Sequence, residues 1–363
     1  MPVKLNILVS PLDWGLGHAT RIVPLLRYLQ KQDHQLIIGV NEATSDFLRD
    51  HFPKAIFHFI PSYQISYSKT GSSFSLLKLI PNIIKAKRKE SRWVKEYIKD
   101  QAVDLIISDS RFGFRHSLIP SVIISHQLNL QYPKAISFLG QIAQKINKKW
   151  LSSFDHIWVP DSKDHYLSGN LSIHKSLNIS FIQSQSRLYP TQKANPIGTD
   201  YILCILSGPE PQRSNLENII ISQAESLKKQ LVIVGGQPQK SVDQYEIKNI
   251  IYFNHLQDDR MSNFIQNASV VISRSGYSSI MDYYTIGCRQ LFFIPTPGQT
   301  EQIYLAQRMK DLGIGDFEIQ SKFNLEKVLM RQKTWKGFRS YVASKDVFDD
   351  LISSCLEEFS QRN

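Results

Sequence analysis

The chain reads as α/β, with two Rossmann-like, doubly wound parallel-sheet domains facing each other across a cleft. Three observations predict this. Short apolar runs alternate with helix-length stretches, the alternation restarts near residue 198, and a polar segment with two prolines separates the two series.

In the first series the strands fall at 5–9, 35–40, 56–60, 105–108, 122–125 and 156–159, with helices near 19–32, 43–51, 74–99 and 134–152. The second series places strands at 201–206, 231–234, 250–253, 270–273 and 291–294, with helices near 213–229, 260–267, 277–286 and 300–312. The stretch 189–200 (YPTQKANPIGTD) is the linker. This gives an N-terminal domain over 1–190 and a C-terminal domain over 198–343, with a last helix in 344–363 expected to pack back on the first. Ligands of open parallel sheets sit beyond the carboxyl ends of the strands, so the strand-end loops are where chemistry belongs.

The 363 residues are 42% apolar and 21% charged, which excludes a disordered chain. Cys204, Cys288 and Cys355 are far apart and lack metal-ligand spacing, so they read as reduced, buried thiols of a cytoplasmic protein. No apolar run approaches the roughly 20 residues that span a bilayer. The expected location is cytoplasmic, with a peripheral place on the inner membrane face as an option. The net charge of +11 calls for an anionic partner. Nucleic acid is not expected, because no basic platform interleaved with aromatics is present. The segment 74–99 is the concentrated exception: Phe74, Leu76, Leu77, Leu79, Ile80, Ile83 and Ile84 lead into Lys85-Ala86-Lys87-Arg88-Lys89. That order suits either an anionic membrane surface or a core helix with a solvated basic end.

Five strand-end loops carry the candidate site. The first strand opens into Gly15-Leu16-Gly17-His18, where Gly15 and Gly17 permit a tight turn and a close backbone approach. His18 then reads as a base for an acceptor hydroxyl, or as a helix-start donor to phosphate. Ser207, Gly208 and Arg213 follow strand 201–206 and are placed to meet phosphate. Leu256 lies in a loop whose backbone suits a base edge. Ser273-Arg274-Ser275-Gly276 opens a helix whose N-terminus suits a diphosphate, and Asp282 on that helix suits two vicinal ribose hydroxyls. Glu301 and Gln302 begin the next helix, where an acid and an amide suit sugar hydroxyls.

The order of these elements resembles the GT-B glycosyltransferases of family 28, above all the MurG-like N-acetylglucosaminyltransferases, and most specifically over 250–312. Ser273-Arg274-Ser275-Gly276 matches the family's SRSG-type turn. Asp282 falls where the family has a ribose-binding Glu, one methylene longer. Glu301-Gln302 falls where it has a Gln-Gln pair reading the donor sugar. Gly15-Leu16-Gly17-His18 is similar to its glycine-rich turn, and His126 falls in a segment near the acceptor.

The resemblance implies an inverting hexosyl- or N-acetylhexosaminyltransferase that moves a sugar from a UDP-sugar to a hydroxyl of a lipid-linked or cell-envelope glycan. The UDP-sugar is a co-substrate, and no cofactor is implied. The chain contains no Asp-x-Asp, so metal independence is expected. A nucleotide-sugar hydrolase or epimerase on the same fold is the alternative.

Overall fold

This computed structural model describes residues 4–63, 75–132, 137–191, 200–224, 227–237, 244–331, 335–339 and 348–362. Two compact units meet in sequence between Gln185 and Ser186, and the chain beyond Ala343 returns to the first.

The first unit runs β1 (Asn6–Pro11), α1 (Leu16–Lys31), β2 (Gln35–Val40), α2 (Glu42–His51), β3 (Ile56–Phe59), α3 (Ser75–Asp100), β4 (Leu105–Asp109), β5 (Ser121–Ile124), α4 (Ser137–Leu151), β6 (His156–Val159) and β7 (Ile179–Phe181). Its sheet is parallel with the order β3-β2-β1-β4-β5-β6-β7. Period-2 alternation sorts the strand residues between two layers. Ile7, Val9, Leu36, Ile38, Leu105 and Ile107 face one core cluster, and Leu8, Ile37 and Ile106 face another with Val94 of α3. Both faces are covered, which is why the strands are continuous apolar runs. The strand order reverses between β1 and β4, and a ligand crevice opens at such a switch point.

The second unit runs β8 (Tyr201–Ile205), α5 (Gln212–Ala224), β9 (Gln230–Val234), β10 (Gln244–Ile247), β11 (Ile250–Phe253), α6 (Asp258–Asn267), β12 (Val270–Ser273), α7 (Tyr277–Ile286), β13 (Leu291–Phe293), α8 (Thr300–Asp311), β14 (Gly315–Phe317) and α9 (Leu325–Arg331). Its order is β10-β11-β9-β8-β12-β13-β14, with the switch point between β8 and β12. This sheet is not wholly parallel. β10 pairs antiparallel with β11 through a tight turn at Lys248, whose φ of 54° lies in the left-handed region. β7, β10, β14 and α9 add to the elements expected from the sequence.

The last helix, α10 (Phe348–Arg362), belongs to the first unit. Phe348, Ile352 and Cys355 enter the core beneath α1, and the Phe348 ring lies 5.2 Å from that of Tyr28 and 6.0 Å from that of Trp158.

Candidate active site

In the first unit the switch point gathers two histidines around one ion pair. β1 hands over to α1 through a loop fixed by the Leu12 N–H, which donates to the Asp109 carbonyl at 2.9 Å. Gly15 sits at φ 82°, a left-handed conformation that glycine adopts without strain, and a Cβ there would meet open space. Gly17 accepts a hydrogen bond at its carbonyl from Thr20 Oγ1 at 3.0 Å, in the first turn of α1.

His18 follows in that turn. Its Nδ1 lies 3.1 Å from Oδ2 of Asp109, the last residue of β4, which is fully buried. Arg21, three residues further along the same helix face, is 4% exposed. Its Nε donates to Asp109 Oδ1 at 3.1 Å and to Oδ2 at 2.9 Å, while its Nη2 contacts Oδ1 and Ser110 Oγ. Its Nη1 lies 3.2 Å from Nδ1 of His126, in the loop after β5. Neither Asp109 nor Arg21 was singled out from sequence. The available signals were an acid closing a buried strand beside the switch point, and an arginine at i+3 from His18.

The electrostatics follow from this packing. Burial disfavours the Asp109 carboxylate, but the Arg21 guanidinium and then His18 outweigh it, holding the group well below the usual carboxylate range. His18 is lowered from its ordinary value, first by burial and then by Arg21, against the raising influence of Asp109. With an ionised acceptor at Nδ1, neutral His18 carries its proton there and presents the Nε2 lone pair as a base. The His18 side chain retains 17% of its surface.

In the second unit the strand-end loops after β8, β12 and β13 converge. Gly208, at φ 99°, comes so near Thr296 that a Cβ would lie 3.5 Å from the threonine Oγ1. That hydroxyl is buried and has no hydrogen-bond partner among the described residues. Ser207 precedes Gly208 and is partly exposed. Gly276 is the N-cap of α7 without a side-chain cap, and a Cβ on it would meet only Ser279 Oγ, at 4.0 Å. Gly276 thus leaves open space beside the start of α7, and a helix N-terminus is a place that suits an anion.

Asp282 accepts a hydrogen bond at Oδ1 from Ser186 Oγ. Burial pushes its carboxyl up to about 6, with Arg187 and Ser186 acting in the opposite direction. Arg187 itself is paired with Asp258 at the start of α6.

Several residues expected at the ligand hold loops together in this structure. Arg274 is 1% exposed, and its guanidinium donates to the carbonyls of Ile294 (3.0 Å), Pro295 (3.3 Å) and Gln212 (2.8 Å) and to Gln320 Oε1 (2.7 Å). Burial lowers it to about 10. Ser275 Oγ donates to the Gln302 carbonyl at 2.7 Å, and Ser273 Oγ to the Arg274 carbonyl at 3.0 Å. Arg213, expected near phosphate, binds Glu210 at 2.7 Å, Glu217 at 3.0 Å and Ser214 at 2.8 Å. The Gln302 amide accepts from the Thr296 N–H at 2.8 Å and donates to Gln299 at 2.6 Å, closing the loop rather than facing outward. Glu301 beside it is partly exposed, and the Leu256 side chain is in the core.

Residues 202–331 match the glycosyltransferase family 28 C-terminal domain. Over 158 residues the chain is 26% identical to a UDP-N-acetylglucosamine–N-acetylmuramyl-(pentapeptide) pyrophosphoryl-undecaprenol N-acetylglucosamine transferase of Sulfurihydrogenibium sp. (strain YO3AOP1). That match covers 43% of this chain and 42% of the relative, less than half of either. Among solved structures, the glycotransferase of kitacinnamycin superposes with a TM-score of 0.66 at 13% identity, over 99% of this chain and 95% of its own. MurG of Acinetobacter baumannii superposes with a TM-score of 0.53 at 16% identity, over 92% of each chain. At these identities the structural likeness establishes a shared fold.

Proposed function

From the premise that this chain is a MurG-like GT-B protein with the C-terminal domain of glycosyltransferase family 28, we propose that it moves a sugar from a UDP-sugar to a hydroxyl with inversion at the anomeric carbon. The sugar is a hexose or N-acetylhexosamine, and the acceptor is a lipid-linked or cell-envelope glycan. The matched relatives are transferases by name, which favours transfer over the hydrolase or epimerase alternative.

The observation that carries the mechanism is the His18–Asp109 pair, 3.1 Å apart at a switch point. His18 Nε2 takes the proton of the acceptor hydroxyl as its oxygen attacks the anomeric carbon. Asp109 stabilises the imidazolium that forms, and Arg21 keeps Asp109 ionised and oriented. In the second unit, the N-terminus of α7 behind Gly276 and the Thr296 hydroxyl take up the charge of the departing diphosphate. Asp282 binds the ribose hydroxyls once they replace Ser186. Helix N–H groups and neutral donors carry out this neutralisation without a metal ion, so EDTA leaves the rate unchanged.

An anionic membrane surface met through 74–99 belongs to the same proposal, although Phe74 and the side chains of Leu76, Leu77, Leu79 and Ile80 lie outside the described residues. No helix among the described residues is long and apolar enough to cross a membrane.

The experiment is a titration with UDP and with UDP-sugars, followed by melting temperature, on the wild type, His18→Ala and Asp282→Ala. Stabilisation should grow with ligand concentration in the wild type and in His18→Ala, and vanish in Asp282→Ala. Absence of stabilisation in the wild type would overturn the donor assignment, and rapid acceptor-free release of UDP would mark a hydrolase instead.

A further inference from the structure

Of the five tryptophans, all among the described residues, only Trp14 is exposed, at 39%. It stands in the loop between β1 and α1, four residues before His18, a span of at most about 14 Å even in extended chain. Between the two lies Gly15, where an added Cβ would meet no atom within 4 Å. An indole, an open gap and the candidate base therefore follow one another along a single strand-end loop.

The indole rests on a buried polar network that the transfer mechanism does not use. The Trp14 and Tyr63 rings stand nearly perpendicular, at 85°, with centroids 6.3 Å apart. Tyr63 is buried, and its N–H donates to Asp13 Oδ2 at 3.1 Å while its hydroxyl donates to Glu90 Oε2 at 2.8 Å. The Arg111 guanidinium lies over the Tyr63 ring at 5.4 Å. It donates to Glu90 Oε1 at 2.6 Å and to the Pro11 carbonyl, at the end of β1, at 3.2 Å. Asn41, the N-cap of α2, donates to Asp13 Oδ2 at 3.3 Å. The side chains of Asp13, Glu90 and Arg111 are all buried. Apolar groups of similar volume would hold the fold at least as well as these buried charges. What the charges add is direction: they fix the loop on both sides of Asp13 and set the indole beside it.

We propose that Trp14 is the platform for the acceptor's sugar ring, which stacks an apolar face on the indole and reaches over Gly15 to bring a hydroxyl to His18. The C–H hydrogens on one face of a pyranose carry partial positive charge and meet the negative face of the indole. The hydroxyls stand around the ring edge and stay free to react. A rigid aromatic plane gives contact area at little cost in conformational freedom, which suits a ligand that is otherwise polar. A linear polyol has no such face to offer. The inference rests on the proposed function in taking a sugar as acceptor, and its test needs no transfer to occur.

The test uses the full chain labelled with nitrogen-15 at the tryptophan indoles, which gives five ring N–H signals. Trp14→Phe identifies the signal of Trp14. Methyl β-D-glucopyranoside, added with and without UDP, should shift that signal and leave the other four in place, and sorbitol should shift none. Saturation-transfer NMR on the glucoside C–H protons should show binding about tenfold weaker or worse in Trp14→Ala and within about threefold of wild type in Trp14→Phe. Stabilisation by UDP, measured on the same samples, reports folding and donor binding and should be unaltered in both variants. An unmoved Trp14 signal, an equal response to sorbitol, or full glucoside binding by Trp14→Ala would each overturn the proposal. So would a response to benzyl alcohol alone, which would make the platform one for flat aromatic acceptors. The donor assignment stands apart from these outcomes and fails only if UDP does not stabilise the wild type.

Discussion

Arg21 Nη1 and His126 Nδ1 meet at 3.2 Å, and a guanidinium is a donor without acceptor capacity, so His126 accepts there. Neutral His126 therefore carries its proton on Nε2, the reverse of His18, whose Nδ1 faces the Asp109 carboxylate at 3.1 Å. One buried Arg–Asp pair sets opposite tautomers in two histidines, one a base at Nε2 and the other a donor there. Nitrogen-15 NMR of histidine-labelled protein near neutral pH should show both tautomers, and Arg21→Gln should release His126 from its assignment.

His18 must be neutral to act as a base. Burial and Arg21 lower it, so the neutral form persists to more acidic pH than for an ordinary imidazole. The acid limb of the kcat/KM profile should fall below about pH 6.5. The charged or titratable groups at His18 are Arg21, Asp109 and His126. In Arg21→Gln the lowering influence of Arg21 is gone, and the limb should move to higher pH. An unmoved limb would remove His18 as the titrating base.

Asp109→Asn should be far more harmful than a surface change. The substitution strands the Arg21 charge in a buried site, at a cost of about 3–5 kcal/mol of stability. It also offers His18 Nδ1 an amide in place of an anion, and the rate should drop by roughly a thousandfold or more in protein that remains folded. Chemical denaturation and single-turnover kinetics separate the two effects.

Much of the fold was legible because buried parallel strands are short apolar runs, as at Ile7-Leu8-Val9 and Val270-Val271-Ile272. β10 was not, since Gln244-Tyr245-Glu246-Ile247 is an exposed edge strand stabilised by its pairing with β11 rather than by an apolar pattern. His18 and Asp282 stood out as titratable groups beside glycine turns. Asp109 did not, because an acid at a strand end is ordinary until the fold brings it to a histidine 91 residues away in sequence. Arg213 and Arg274 show the converse. An arginine after a strand reads equally as an anion contact or a clamp on carbonyls, and only the fold shows Arg274 at 1% exposure donating to three carbonyls.

Arg274→Met should accordingly act through structure. Its guanidinium ties the start of α5 to the end of β13, and four hydrogen bonds are lost together. A loss of about 2–4 kcal/mol in chemical denaturation is expected. The change should appear without ligand, whereas a residue acting solely on phosphate would leave the unliganded stability unaltered.

Asp282 separates stability from binding. Its folded-state value of about 6 lies above the roughly 3.9 of an unfolded aspartate, so the native protein holds the proton more tightly. The stabilising contribution is complete below about pH 3.9 and is lost as pH rises through about 6, leaving a buried carboxylate that disfavours the fold at neutral pH. Asp282→Asn should therefore raise the unliganded melting temperature at pH 7.5, by the equivalent of about 1 kcal/mol, and the gain should shrink toward pH 5. On the ribose-binding role proposed for Asp282, the same substitution exchanges an anionic acceptor for a half-donor amide, and UDP affinity should fall by about tenfold or more. Melting curves at the two pH values, each with and without UDP, read both effects. A variant less stable than the wild type at pH 7.5, or one that keeps full UDP affinity, would refute this account of the carboxylate.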